Sequence, residues 1–217
     1  MSEIAFLLFD GITSLDAVGP YEVLQRLPGA TVRMLAREPG PKRDREGNLA
    51  LVADCALGEV PSPDIVVVPG GFGVEAVMKD ESTLEWLRRA HETSRWTSSV
   101  CTGSLVLGAA GILKGLRATT HWMWMDRLRD FGAEPTEERV VFQGKVVTAA
   151  GVSSGIDMAL RMVQLAAGDE IAQGIQLGIE YDPQPPFDAG SPHKAPAAVV
   201  EAVRRSMERM RDSGGTQ

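Results

Sequence analysis

Cysteine and histidine are scarce in this chain of 217 residues: two cysteines, Cys55 and Cys101, and three histidines, His91, His121 and His193. The cysteines have neither C-x-x-C nor metal-ligand spacing and the histidines are far apart. No metal site or disulfide framework is legible, and a reducing compartment suits the thiols. Basic runs are missing too. Net charge is −7 and nothing exceeds pairs such as Arg88-Arg89 and Arg204-Arg205, so nucleic acid is not an expected partner. Long hydrophobic runs are absent, so no membrane span is expected. The opening apolar stretch Ile4–Phe9 is short, lacks a basic segment before it and stops at Asp10-Gly11. It reads as a buried first strand rather than a leader, and the expected location is the cytoplasm. Neither G-x-G-x-x-G nor a P-loop occurs, so no nucleotide or other cofactor is expected. With no internal repeat or long linker, residues 1–217 are expected to form one domain with a frayed tail over about 213–217.

What is present is an alternation of strand and helix signals. A turn at 10–14 and an amphipathic segment from Asp16 to Leu27 follow the first strand, and Thr31–Ala36 is a second strand. Glu38–Asn48 carries charge, glycine and prolines and reads as a loop or hairpin. Asp64 introduces Ile65-Val66-Val67-Val68, a run typical of a strand buried on both faces. Helices are predicted at 82–93, 126–131, 154–167 and 195–212, and a hairpin turns at Gln143-Gly144. Such alternation predicts an α/β fold with a mostly parallel sheet and helices on both faces.

Cys101 stands out within this pattern. Trp96–Val100 reads as a strand, and Leu105-Val106-Leu107-Gly108-Ala109-Ala110-Gly111 as a helix rich in small residues. A cysteine between them occupies a strand–turn–helix elbow, where the helix dipole and free N–H groups favour the nucleophilic thiolate. Gly103 and Gly108 let the new helix lie close to the sheet. The competing reading, a buried structural cysteine, is the common fate of free thiols, but the elbow position favours the nucleophile. Active sites of parallel sheets gather at the carboxyl ends of strands. Three segments should therefore converge: the one with Asp16, the turn Pro69-Gly70-Gly71-Phe72-Gly73, and Cys101-Thr102. The turn either serves only as a tight loop or, through Gly71, offers a backbone N–H to a ligand. Asp16 is either a helix N-cap or an acid, and the residues alone leave both open.

Pro69-Gly70-Gly71, the Cys101 elbow and Arg117-Ala118-Thr119-Thr120-His121-Trp122 resemble the ThiJ/PfpI superfamily, part of the glutamine-amidotransferase-like, flavodoxin-like folds. The resemblance runs from about residue 4 to 190. Val100–Gly111, together with Leu15-Asp16-Ala17-Val18-Gly19-Pro20 and Pro185–Pro192, is similar to the subgroup that hydrates isocyanides. The Ala-Thr-Thr-His-Trp run is shared with the ligand domains of AraC-type regulators. Thr102 stands where intracellular proteases of the superfamily carry histidine, and Asp16 where many relatives have glutamate.

The resemblance implies a cofactor-independent hydro-lyase acting on a small isocyanide, with Cys101 as nucleophile, Asp16 as general acid and Thr102 as a hydroxyl and N–H donor. It also implies a homodimer. An isocyanide attacked at its terminal carbon gains negative charge there, so an acid must stand beside the nucleophile. Asp16 fills that role if burial and the thiolate raise its pKa. If the pair shares one proton, activity falls where rising pH removes it. Two other functions compete: a non-catalytic ligand sensor and a redox-responsive or chaperone-like protein using Cys101. His121 and the patch Trp122-Met123-Trp124-Met125 read as core or dimer surface rather than catalytic machinery. Cys55 reads as inert, and the charges from Arg204 to Arg211 as a solvated helix face.

Overall fold

Strand β1 (Ser2–Leu7) and the two residues after it carry no charge beyond Glu3, and Ile4 through Leu8 are buried. Such a segment is satisfied only inside a sheet. Helix α1 (Ser14–Leu24) follows. It is not the amphipathic helix expected: Asp16, Ala17, Gly19, Pro20, Val23 and Leu24 are all buried, so protein covers much of its circumference. Strand β2 (Ala30–Ala36) pairs parallel with β1. The charged stretch after it opens a hairpin outside the main sheet, β3 (Gly40–Arg43) antiparallel to β4 (Ala50–Ala53). Strand β5 (Cys55–Ala56) adds a short edge along β2. Strand β6 (Ile65–Val68) is buried at every position, as its unbroken apolar run requires. Two helices, α2 (Val74–Val77) and α3 (Glu81–Thr93), lead to β7 (Trp96–Val100), which is also buried throughout, and then to α4 (Gly103–Ala109).

The second half departs more from expectation. Strands β8 (Arg117–Ala118) and β9 (Glu134–Pro135) pair parallel as a separate two-stranded ribbon. Between them Trp122–Phe131 winds as a 3-10 helix, earlier and tighter than the helix predicted from 126, and closes on Gly132 at φ 73°. Strands β10 (Val140–Gln143) and β11 (Val146–Ala149) form the expected hairpin around Gly144, whose φ of 60° is easily adopted by glycine. Helices α5 (Ser154–Ala167) and α6 (Asp169–Gly178) follow, separated by Gly168. Helix α7 (Ala197–Ser213) lies in the last segment. The computed structural model describes residues 2–213, so most of the predicted frayed tail lies outside the described residues. The chain divides into two compact units, Met1–Glu180 and Tyr181–Gln217.

The first unit holds the seven-stranded sheet, ordered β10-β11-β7-β6-β1-β2-β5, and only the β10–β11 pairing is antiparallel. Helix α1 packs on α5, which rests on β7, β10 and β11; α3 packs on α4, which rests on β6 and β7. The result is the expected mostly parallel sheet flanked by helices. From β1 the chain goes to β2 on one side and later to β6 on the other, so the sheet order reverses at β1. The crevice at the carboxyl ends beside such a reversal is where ligands bind in open α/β sheets. Among the described residues no helix is long and apolar enough to cross a membrane.

Candidate active site

Cys101 leaves β7 at φ 56°, in the left-handed region. For a residue with a side chain this costs about 1–3 kcal/mol and persists only where neighbours hold it. They do so on both sides. The Cys101 N–H donates to the carbonyls of Ala149 and Ala150, each at 3.0 Å, at the end of the adjacent β11 and just past it. The Cys101 carbonyl accepts from Thr120 Oγ1 at 2.9 Å and Ser104 Oγ at 3.3 Å. The elbow also needs a close approach: a Cβ on Gly103 would stand 2.1 Å from the Val68 carbonyl oxygen. Gly103 therefore brings α4 against the end of β6, as expected. Gly108 instead makes room for the Phe131 ring, 2.6 Å from where its Cβ would be.

The loops after β1 and β6 are tied together. Thr13 N–H donates to the Gly70 carbonyl at 2.9 Å, and Gly73 N–H to the Gly11 carbonyl at 3.1 Å. This seam sets Asp16 against Gly70, whose N–H donates to Asp16 Oδ2 at 3.0 Å. Asp16 does not cap its helix: the cap position is Thr13, and Asp16 lies in the first turn, fully buried. Its Oδ1 is buried without a hydrogen-bond partner among the described residues. Burial pushes the Asp16 carboxyl up from an ordinary 3.8 to about 7, against the pull of the Gly70 N–H and the Cys101 thiol. Burial and the Asp16 charge together push the Cys101 thiol strongly up, while the Thr102 and Val152 N–H groups, which donate to the sulfur, pull it back. The Asp16 charge raises the thiol because two negative charges cannot share so dry a site, whereas the thiol, as a hydrogen-bond partner, lowers the carboxyl. The first proton leaves the pair near 7, and the second is held far more tightly.

In the remaining one-proton state the proton sits on sulfur or on oxygen. The Thr102 and Val152 N–H groups pull toward thiolate beside carboxylic acid, against burial and the Asp16 charge.

Thr102 and Gly71 also meet here. The Thr102 hydroxyl accepts from Gly71 N–H at 2.9 Å and donates to the Gly71 carbonyl at 3.2 Å. Thr102 thus reaches the sulfur through its N–H, while its hydroxyl and the Gly71 N–H are engaged with each other. Gly71 adopts φ 133°, and a Cβ there would stand 2.3 Å from the Gly11 carbonyl oxygen. Sequence reasoning placed Asp16, Gly71, Cys101 and Thr102 at one end of the sheet, and all four converge there. It missed Gly70, the Val152 N–H, Thr120 and Ser104. Gly70 and Thr120 lay inside motifs already singled out, whereas a backbone N–H such as that of Val152 leaves no trace in side-chain chemistry.

His121 is mostly buried, and burial alone lowers its pKa. Its Nδ1 accepts from Met123 N–H at 3.4 Å, and its ring packs over Gly151. Trp124 and Met125 pack partly against the core. A separate cleft of about 340 Å³ opens at the ends of β1 and β2, lined in part by Asp10, Arg37, Lys42 and Asp80. None of the four converging residues lines it.

Residues 2–165 match the model of the DJ-1/PfpI family. The isonitrile hydratase of Pseudomonas putida is 46% identical over 203 residues, which cover 94% of this chain and 89% of that protein. A ThiJ/PfpI family protein of Pseudomonas syringae superposes with a TM-score of 0.93 at 39% identity, covering 97% of this chain and 88% of its own. The HTH-type transcriptional regulator CdhR of Pseudomonas aeruginosa is 30% identical over 175 residues, 77% of this chain but 51% of the regulator. A cysteine on a strained elbow at the carboxyl edge of a parallel sheet and a family match over most of its length lead to one assignment: the chain belongs to the DJ-1/PfpI family.

Proposed function

We propose that the protein hydrates isocyanides to N-substituted formamides, with Cys101 as nucleophile and Asp16 as acid. The observation that carries this reading is the buried Cys101–Asp16 pair, in which a carboxyl raised to about 7 stands beside a sulfur served by two N–H donors. The reaction needs a proton delivered to the same carbon that the nucleophile attacks. The thiolate adds to the terminal carbon of R–NC, and the electron pair left on that carbon takes the proton from Asp16. The product of this step is a thioimidate, R–N=CH–S–Cys101. Water then adds to the carbon, giving one proton to nitrogen and the other to the Asp16 carboxylate. The C–S bond breaks, the thiolate returns, and R–NH–CHO leaves. Atoms balance as isocyanide plus water, and the pair ends in its starting state.

Access supports the same substrate class. Cys101 is only 6% exposed. The terminal carbon of an isocyanide bears no substituent and can reach such a sulfur end-on, whereas a peptide carbonyl carries a group on each side. The 46% identity to an isonitrile hydratase is in keeping with this reading. The likeness to CdhR supports ligand sensing as a second reading, but a sensor has no use for a shared proton at a nucleophile. Incubating the protein with an aryl isocyanide and following the ultraviolet change, with the product identified by NMR, tests the proposal. Formation of the N-aryl formamide is expected; an unchanged isocyanide would overturn it.

A further inference from the structure

The Ala118-Thr119-Thr120-His121 run has no part in the chemistry above, yet it touches the elbow at one point. Thr120 is 1% exposed, and its hydroxyl donates to the Cys101 carbonyl at 2.9 Å. That carbonyl cannot be satisfied in the ordinary way. At φ 56° the Cys101 backbone turns away from the helix it precedes, and the first turn of α4 is closed instead by Leu105 N–H on the Thr102 carbonyl. Ser104 reaches the same oxygen more loosely, at 3.3 Å. Thr120 is itself held by its neighbour, because Thr119 N–H donates to Thr148 Oγ1 of β11 at 2.9 Å. Strand β11 lies next to β7 in the sheet.

The consequence follows from peptide geometry. The Cys101 carbonyl and the Thr102 N–H belong to one planar trans peptide and point in opposite directions. The Thr102 N–H is one of the two donors aimed at the Cys101 sulfur. Fixing the carbonyl oxygen therefore fixes the direction of that N–H, and a hydrogen bond accepted by the oxygen polarises the N–H opposite it.

We infer that Thr120 is a positioning residue for Cys101: by holding the carbonyl of the 101–102 peptide, its hydroxyl aims the Thr102 N–H at the sulfur and favours the thiolate. The charged group that acts on Cys101 is Asp16, on α1, and the ionisable neighbour of Thr120 in the chain is His121. A change at Thr120 alters neither. The effect on turnover rests on the function proposed above, whereas the effect on the thiol does not.

The test compares Thr120→Val, which keeps the shape and loses the hydroxyl, with Thr120→Ser, which keeps the hydroxyl. Cys101 is alkylated with iodoacetamide across a pH series, and peptide mass spectrometry separates it from Cys55, the internal control. Thr120→Val should alkylate roughly three- to tenfold more slowly at neutral pH, with the profile displaced to higher pH, and Thr120→Ser should stay within about twofold of wild type. Cys55 should react alike in all three. A Thr120→Val profile that overlays wild type, or a Thr120→Ser profile displaced as far as that of Thr120→Val, would overturn the inference. Should Thr120→Val fail to fold, Thr148→Val loosens the same segment from β11 and should displace the Cys101 profile in the same direction by less; an unchanged profile there would count equally against it. Absence of isocyanide turnover in wild type would remove the proposed function and leave this comparison of thiols intact.

Discussion

The chain carries two free cysteines, and each has an aspartate beside it. Cys55 is 5% exposed and Cys101 6%, so surface exposure alone does not separate them, although Cys101 lies much deeper. Burial and a neighbouring carboxylate raise both thiols, Asp54 acting on Cys55 and Asp16 on Cys101. The backbone makes the difference. Cys55 lies in register opposite Leu35 on an edge strand, and its thiol donates to the Met34 carbonyl at 3.6 Å. A thiol whose partner is an acceptor keeps its proton. Cys101 sits at φ 56°, and two N–H groups point at its sulfur. Its aspartate is buried, and among the described residues Oδ1 has no hydrogen-bond partner, whereas Asp54 is exposed. What separates the two is the set of hydrogen-bonding groups presented to each sulfur.

The comparison is tested first at the sulfur atoms. Cys101→Ala should lose turnover by roughly 10⁴-fold or more, because no covalent intermediate forms. Cys55→Ala should turn over as wild type. The aspartates should behave in parallel: Asp16→Asn is expected to lose roughly 10²- to 10⁴-fold, since an amide cannot give the carbon its proton. Asp54→Asn should lose nothing in the same steady-state assay. Next comes crowding between the two groups. A Cβ on Gly70 would stand 2.5 Å from the Thr102 nitrogen and 3.0 Å from Asp16 Oδ2. Gly70→Ala should therefore displace both and reduce kcat/KM by about 10²-fold.

The pH dependence follows from the direction of the shifts. Below about 7 the pair carries two protons, and above it the single proton of the reactive state. Activity and Cys101 alkylation should rise as pH increases through about 7 and then level off, a limb that Asp16→Asn should lack. The fall expected where the second proton leaves is moved to high pH by the raised Cys101 thiol. Stability runs the other way. A carboxyl whose pKa is raised from 3.8 to about 7 by folding binds its proton more tightly in the folded state. Its contribution to folding therefore becomes less favourable as pH rises from about 4 to about 7, by an amount on the order of a few kcal/mol. Denaturant titrations at pH 4 and pH 8 should show that loss in wild type and much less of it in Asp16→Asn. The smallest effect is expected at Thr102→Val, which removes the hydroxyl paired with Gly71 but keeps the N–H at the sulfur: about tenfold or less in kcat/KM.

The difference between the two cysteines was partly legible in the sequence. A β-branched strand followed by Cys101-Thr102-Gly103 and small apolar residues signals an elbow, and the apolar run at 65–68 signals the buried parallel strand beside it. Cys55, between Asp54 and Ala56, carries no such frame. Asp16 was ambiguous because a carboxylate at the start of a helix caps it in most settings. Only the loop seam from Thr13 to Gly70 shows that its partner lies across the sheet. The burial of α1 was hidden because Asp16, Tyr21 and Glu22 give it a polar look. Helix α6 escaped the sequence reading although Ala172 and Ile175 give it a buried side; Gly174 and Gly178 within it weaken the helical signal. Val152 matters at the sulfur through its N–H, a group that every residue except proline carries.

The decisive observation is where the isocyanide carbon goes. Protein in rapid turnover with an aryl isocyanide, quenched in acid within milliseconds and digested, should yield a Cys101 peptide heavier by the whole mass of one isocyanide, the thioimidate, while the Cys55 peptide stays unmodified. The adduct should be missing from Cys101→Ala. An adduct on Cys55, or formamide accumulating while the Cys101 peptide never gains mass at any quench time, would contradict the assignment of Cys101 as the attacking group.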